Sequence, residues 1–328
     1  MGRTKMMPAA AGILAAKLLR RKKPLIVGWA ITDQCNRRCA YCSIWRRPNR
    51  DLPTPAVFGI IDALADAGTL RISFTGGEPL LRPDMPDIIR YVHAKGMETK
   101  LNSNGSLVKE KIDALPDLDM LTLSLEGPQK VHDAIRGPGS FDEVREALTA
   151  ARARGIKTSL ATVLTAINLE AVDYILETAA SEDCRVLFQP ATTLRLGGQT
   201  ANDLTPPVAA YREVIEKLIR RKKAGDRTIG NSVPGLKHLL RWPDPTRMRC
   251  ASGWISCRIE PDGNVLYCSR ESAGVAPKNC LTVPFQEAFD NLRPMTCVDC
   301  WCAGRVELNL AFSLNLPTMM NQLKVPIR

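Results

Sequence analysis

The stretch Cys35-Asn36-Arg37-Arg38-Cys39-Ala40-Tyr41-Cys42 follows closely on the apolar, β-rich run 25–31. Three thiols this close together behind a strand make a metal-binding pattern, and their number says which kind. A closed zinc site needs four ligands, yet no fourth Cys or His lies nearby, and the chain has only three histidines, His93, His132 and His238. A four-iron cluster held by three thiolates keeps one iron without a protein ligand, open to a substrate or cofactor. The spacing therefore describes a reactive site, with a zinc site completed from afar as the competing reading.

Outward from this loop, strands and helices alternate. The run 25–31 leads to a helix over 54–67, where Val57, Ile60, Ile61 and Leu64 recur at i, i+3, i+4 and i+7. Strands are predicted at 71–75, 98–102, 120–125, 157–163 and 186–189, and helices at 84–95, 107–115, 141–154, 168–180 and 206–223. Six such βα units imply a parallel sheet with right-handed crossovers. Periodicity does not choose between an open doubly wound sheet and a curled, incomplete barrel. In either, the chemistry lies beyond the C-terminal ends of the strands. Besides the cysteine loop, those ends carry Gly76-Gly77-Glu78-Pro79, Asn102-Ser103-Asn104-Gly105 and Ser124-Leu125-Glu126-Gly127. Four polar or Gly-rich strand ends on one rim point to a single active site.

Composition sets the outer limits. The chain has 328 residues, 45% hydrophobic and 24% charged, which excludes a mainly disordered or fibrous protein. Its longest unbroken apolar stretch, Met6 to Ala16, is eleven residues, too short to span a bilayer. The net charge of +11 comes wholly from residues 1–50, which hold twelve bases against Asp33 alone; the rest carries 33 of each sign. That even balance, with 5% aromatic residues, argues against nucleic acid as a partner. Residues 8–23 read as a basic amphipathic helix, either packed on the body or in peripheral contact with a membrane. Eleven cysteines, an odd number in a long chain without a signal peptide, point to a reducing cytoplasm and to thiols that bind metal.

The cysteine loop resembles the CxxxCxΦC signature of the radical S-adenosylmethionine (radical SAM) superfamily, with Tyr41 as the aromatic. Gly76-Gly77-Glu78-Pro79 resembles that family's GGEP segment, and Leu123 to Gly127 with His132 to Arg136-Gly137 resembles a further stretch seen in many members. The similarity covers roughly residues 25–190. It implies an α/β fold, an incomplete (β/α)6 TIM-like barrel. It also implies a [4Fe-4S] cluster on Cys35, Cys39 and Cys42, with S-adenosyl-L-methionine on the open iron. Gly76, Gly77, Glu78 and Pro79 would meet the methionine amine through backbone carbonyls and a carboxylate. Asn104 and Ser124 would bond the ribose or the methionine moiety, Arg136 would suit its carboxylate, and Tyr41 would pack on the adenine side.

A second group of thiols, Cys250-x17-Cys268 and Cys297-x2-Cys300, brackets Gly263 and resembles the C-terminal auxiliary-cluster region of the SPASM and twitch subgroups. Four thiolates close a cluster, which suits electron transfer rather than substrate ligation. One auxiliary [4Fe-4S] cluster on Cys250, Cys268, Cys297 and Cys300 is expected, with zinc as the alternative metal and Cys257 as the alternative ligand. Cys280 and Cys302 are left over, and Cys184 reads as a small buried hydrophobe. The domain plan is then 1–24, the N-terminal helix; 25–224, the barrel; 225–249, a connector; and 250–328, a small cysteine-rich domain with its tail.

The resemblance implies reductive cleavage of S-adenosylmethionine to a 5′-deoxyadenosyl radical that takes a hydrogen atom from substrate. It also implies an electron donor such as flavodoxin or ferredoxin. Only 34 residues precede Cys35, too few for a leader-binding domain, so the expectation is a small-molecule or lipid-linked substrate. The alternative is a maturase acting on a ribosomal peptide or protein. More distant alternatives are an RNA-modifying radical enzyme and a non-catalytic metal-binding protein.

Overall fold

Period-two alternation along the first strand sets the outer face of the sheet. Val27, Trp29 and Ile31 of β1 (Ile26–Thr32) share one apolar core with Val57, Ile60, Ile61 and Leu64 of α1 (Thr54–Asp66). The computed structural model describes residues 22–268, 276–293 and 295–323. The same βα unit then repeats: β2 (Arg71–Gly76), α2 (Met85–Ala94), β3 (Glu98–Ser103), the short α3 (Val108–Lys111) and β4 (Met120–Ser124). Next come α4 (Gln129–Arg136), α5 (Ser140–Ala153), β5 (Lys157–Leu164), α6 (Val172–Ser181), β6 (Arg185–Pro190) and α7 (Val208–Lys223). Strands β1 to β6 pair in sequence order and all in parallel, which is the incomplete (β/α)6 barrel.

After α8 (Val233–Leu239) and β7 (Met248–Arg249), the chain returns to the other edge of that sheet. There β8 (Ser256–Ile259) runs parallel to β1, and β9 (Asn264–Leu266) and β10 (Lys278–Asn279) continue antiparallel. The apolar residues Cys257, Ile259, Val265, Tyr267, Phe285 and Phe289 belong to the barrel's own core. The cysteine-rich segment thus packs onto the barrel through a shared core. It closes with α9 (Phe285–Asp290), β11 (Thr296–Cys297), α10 (Ala303–Phe312) and α11 (Leu316–Leu323). Helix α10 bridges the open side of the barrel. The Ala303 amide donates to Gln189 Oε1 on β6 at 3.1 Å, while Arg305 donates to the Ser252 and Ser256 hydroxyls beside β8 at 2.9 and 3.0 Å.

Four elements differ from the sequence expectation. The helix predicted over 107–115 ends as α3 and a 3-10 turn, Ile112–Ala114, because Pro116 disfavours helical backbone at Leu115. The helix expected from 168 starts at Val172, since the Asn168 side chain accepts from the Thr165 amide at 2.7 Å and holds a local turn. Helix α4 lies where no helix was predicted. The 225–249 connector contains α8, whose Ser232 caps the Gly235 amide. The basic N-terminal helix lies outside the described residues, apart from its last two positions. Among the described residues no helix is long and apolar enough to cross a membrane.

Candidate active site and second cysteine centre

The loop after β1 is laced to the loop after β2 by backbone alone. The Gly77 amide donates to the Thr32 carbonyl and the Glu78 amide to the Gln34 carbonyl, both at 2.8 Å. A Cβ on Gly76, whose φ is +137°, would stand 2.1 Å from the Thr32 oxygen, and one on Gly77 would stand 2.0 Å from the Gln34 oxygen. Only glycine permits this approach. The two glycines thus fix the strand end that carries the thiols.

Glu78 is fully buried and works as a strut. Its carboxylate accepts from the Leu80 amide at 3.2 Å, the Ser103 hydroxyl at 2.9 Å and the Asn104 amide at 2.7 Å. Burial pushes its carboxyl up to about 7 against the pull of those bonds. This strut carries the geometry on to Asn104, whose side chain donates to Asn36 Oδ1 at 2.9 Å and stands 4.0 Å from Cys35 Sγ.

On the far side, α4 turns His132, Ile135 and Arg136 inward. Arg136 is clamped by Glu126: Nε and Nη2 reach Oε1 at 2.9 and 2.7 Å, and Nη2 also donates to the Tyr41 hydroxyl. Tyr41 in turn donates to Glu126 Oε1 at 2.9 Å, and Glu126 Oε2 accepts from the Val163 amide at 2.9 Å. Arg136 Nη1 lies 3.8 Å from Cys39 Sγ. The network spans the cysteine loop, the β4 end, α4 and β5. Sequence reasoning missed its hub, Glu126; the signal was a lone acid beside the Ser124 strand end. His132 accepts the Glu126 amide at Nδ1 at 3.1 Å, and its imidazole is pushed down to about 3 by burial and by Arg136. Ser124 closes β4 on the same rim, half-buried, and Pro79 opens the 3-10 turn behind Glu78.

Cys39 is buried, while Cys35 and Cys42 are half-buried. Burial raises the Cys35 thiol and pushes Cys42 up to about 11, and each is raised further by charge on its neighbouring cysteines. Ligation must therefore displace protons. Among the described residues no three Cys, His, Asp or Glu side chains converge as ligands of one ion. Three thiols within electrostatic reach of one another, yet not on one point, fit a wide cube gripped at its corners. Asn104 and Arg136 supply donors beside Cys35 and Cys39, which suits anionic sulfur.

The second centre is assembled by a two-residue ladder. Thr296 pairs with Arg249 and Cys297 with Met248, and the Cys250 amide donates to the Met295 carbonyl at 3.2 Å. Asn309 of α10 donates toward Cys300 Sγ at 3.5 Å and accepts from the Ala251 amide at 2.9 Å. His238 Nε2 sits 2.8 Å from the Cys300 carbonyl. A hydrogen bond with Cys297, then burial, then the charges of Cys302, Cys297 and Cys250 raise the Cys300 thiol. These four thiols are within electrostatic reach of one another. Cys268, half-buried, follows β9. Cys257 is fully buried in β8 opposite Val27, with its thiol pushed up to about 12 by burial. Cys280 donates to the Gly263 carbonyl at 3.0 Å, and Cys184 is buried in the core. Cys302, at the head of α10, is close enough to oppose the lowering of Lys100, an ammonium on β3 that burial pushes down to about 8.

A sequence model of the radical SAM superfamily matches residues 29–179. That segment is a radical SAM domain, of a superfamily whose members are iron–sulfur enzymes. Among its relatives is the mycofactocin maturase MftC of Mycolicibacterium smegmatis. It is 29% identical over 260 residues, which cover 75% of this chain and 64% of the maturase. The PqqA peptide cyclase of Ruegeria pomeroyi is 28% identical over 293 residues, 86% of this chain and 74% of the cyclase. The structure of Streptococcus suis SuiB bound to its precursor peptide SuiA shares the fold. Its TM-score is 0.67 at 16% identity, over 86% of this chain and 68% of SuiB. The chain thus spans slightly less than two thirds of the mycofactocin maturase.

Proposed function

We propose that this chain is a radical SAM enzyme acting on a peptide or protein substrate. The observation that carries the radical chemistry is the three-thiol loop, locked by Gly76, Gly77 and Glu78 on one side and by the Glu126–Arg136–Tyr41 network on the other. Bound there, an iron–sulfur cube bearing S-adenosylmethionine supplies one-electron cleavage of the sulfonium and hydrogen-atom abstraction. Cys35, Cys39 and Cys42 would hold the cube. The Gly76–Pro79 carbonyls would accept from the methionine amine, and Asn104 and Ser124 would orient the ribose or methionine moiety. Arg136, already neutralised by Glu126, has its Nη1 edge for a carboxylate. Glu78 would act from behind, as the strut under that wall. Cys250, Cys297 and Cys300 would hold an auxiliary cluster, with Cys268 as the fourth ligand expected from spacing.

The expected small-molecule or lipid-linked substrate gives way to the peptide alternative. Both named relatives and SuiB are described by peptide substrates or maturation, and the matches run well beyond the barrel. The test is 5′-deoxyadenosine release from anaerobically reconstituted protein, with and without short precursor peptides encoded beside its gene. Release stimulated by one such peptide, together with a mass change in that peptide, is expected. Stimulation by a small metabolite and by none of the peptides would return the reading to a small-molecule substrate.

A further inference from the structure

Five arginines ride on the first cysteine loop, and they are not alike. Arg37 is paired with Glu143, Arg47 lies between Glu260 and Asp33, and Arg50 binds Asp33 and Asp262. Arg38 and Arg46 are exposed and have no carboxylate partner among the described residues. Both stack on one indole, with guanidinium carbons 5.3 and 4.7 Å from the Trp45 ring centroid. The Trp45 Nε1–H donates to the carbonyl of Cys42 at 3.0 Å, so this cationic platform is one hydrogen bond from a residue of the thiol triad. The segment bearing Leu196 is bonded to the same loop through Tyr41 and Ser43, and Leu196 is 42% exposed.

We propose that Arg38, Trp45 and Arg46, with Leu196 beside them, form the docking surface for an acidic one-electron carrier protein. This rests on the radical SAM reading, in which each sulfonium cleavage takes one electron from outside. One electron leaves the reduced carrier and enters the cluster; no bond forms or breaks. Electron transfer weakens steeply with distance, so the carrier must approach the loop that holds the thiols, and this is an exposed face of that loop. Two guanidiniums with no carboxylate partner among the described residues supply charge complementarity to an acidic surface. Such charge speeds encounter and makes it salt-sensitive. Arg and Trp are also the side chains that most often anchor an interface.

The test uses the full chain and a bacterial flavodoxin as the acidic carrier. Affinity is measured by titration at low and high salt. Deoxyadenosine release is driven in parallel by reduced flavodoxin and by dithionite, which needs no docking. In the double variant Arg38→Glu/Arg46→Glu, flavodoxin Kd should rise more than tenfold and flavodoxin-driven release should fall in step. Iron content and dithionite-driven release should stay at wild-type level. The double variant Arg38→Gln/Arg46→Gln, which only removes charge, should fall between the two and guards against misfolding of the first. Unchanged flavodoxin affinity in both variants overturns the proposal, as does loss of substrate-peptide binding with carrier binding intact. Should dithionite fail to drive release in the wild type, the catalytic reading falls, and the titration still decides the docking surface.

Discussion

Around Cys35, Cys39 and Cys42 the chain is held by the barrel itself: two backbone bonds at a glycine pair, a buried carboxylate strut and a buried arginine clamp. Around Cys250, Cys297 and Cys300 the described residues show a two-residue ladder, the Thr246 amide on the Val298 carbonyl, the Asn309 amide group and His238. The first region is braced by buried side chains from several strands, while the second rests on fewer such contacts among the described residues. Prebuilt support suits a site that must present an open iron to a cofactor, because small errors in position are costly in catalysis. A closed four-thiolate cluster can instead take much of its order from the metal.

The sharpest way to break this contrast is Arg136→Met. It leaves Glu126 buried without its partner, which costs about 3–5 kcal/mol. Melting temperature should fall markedly, and iron should be lost from the first site while the second keeps its share. Equal loss from both sites would show that the two are not independently supported.

Gly77→Ala should cost about 1–3 kcal/mol, since its Cβ must push back the Gln34 carbonyl. Iron analysis should show the same selective loss at the first site with Arg136 and Glu126 untouched. A fully loaded variant would mean that the glycine pair is not what fixes the loop.

Chelation of the metal sharpens the comparison from the other side. Amide exchange across 248–250 and 296–302 should speed up on the order of tenfold, equivalent to about 1.4 kcal/mol. Residues 32–42 should change less. The reverse ranking would invert the account of which site is prebuilt.

The smallest effect lies outside both sites. Glu307, on α10, accepts from the Ser232 amide at 2.8 Å, and burial pushes its carboxyl up to about 7 from 4.5. The folded state therefore binds this proton more tightly than the unfolded one. Its stabilising contribution is full below pH 4.5 and lost as pH rises through 7, roughly 3 kcal/mol at most. Glu307→Gln should flatten that part of the melting-temperature profile between pH 5 and 8. A variant as pH-sensitive as the wild type would place the titration elsewhere.

Much of the first site is legible in the sequence because its parts are local: three thiols in one loop, two glycines at one strand end. The strands are legible for a similar reason, since Val27, Trp29 and Ile31 alternate against an apolar helix face. Glu126 escaped because its importance is long-range; it gathers Tyr41, Arg136 and Val163 from three separate segments. The sequence places Glu78 facing the cofactor, and only the fold shows its carboxylate tied to Ser103, Asn104 and Leu80. The α10 bridge was equally hidden, because nothing in residues 303–312 announces that they bridge the open side of a barrel begun at residue 26.

The most direct test of the central claim is iron and sulfide counting on anaerobically reconstituted wild type and Cys35→Ala, with 5′-deoxyadenosine measured after dithionite. The account predicts about eight irons per wild-type chain, about four in the variant, and release in the wild type alone. Colourless protein holding only zinc, or undiminished release from Cys35→Ala, would contradict it.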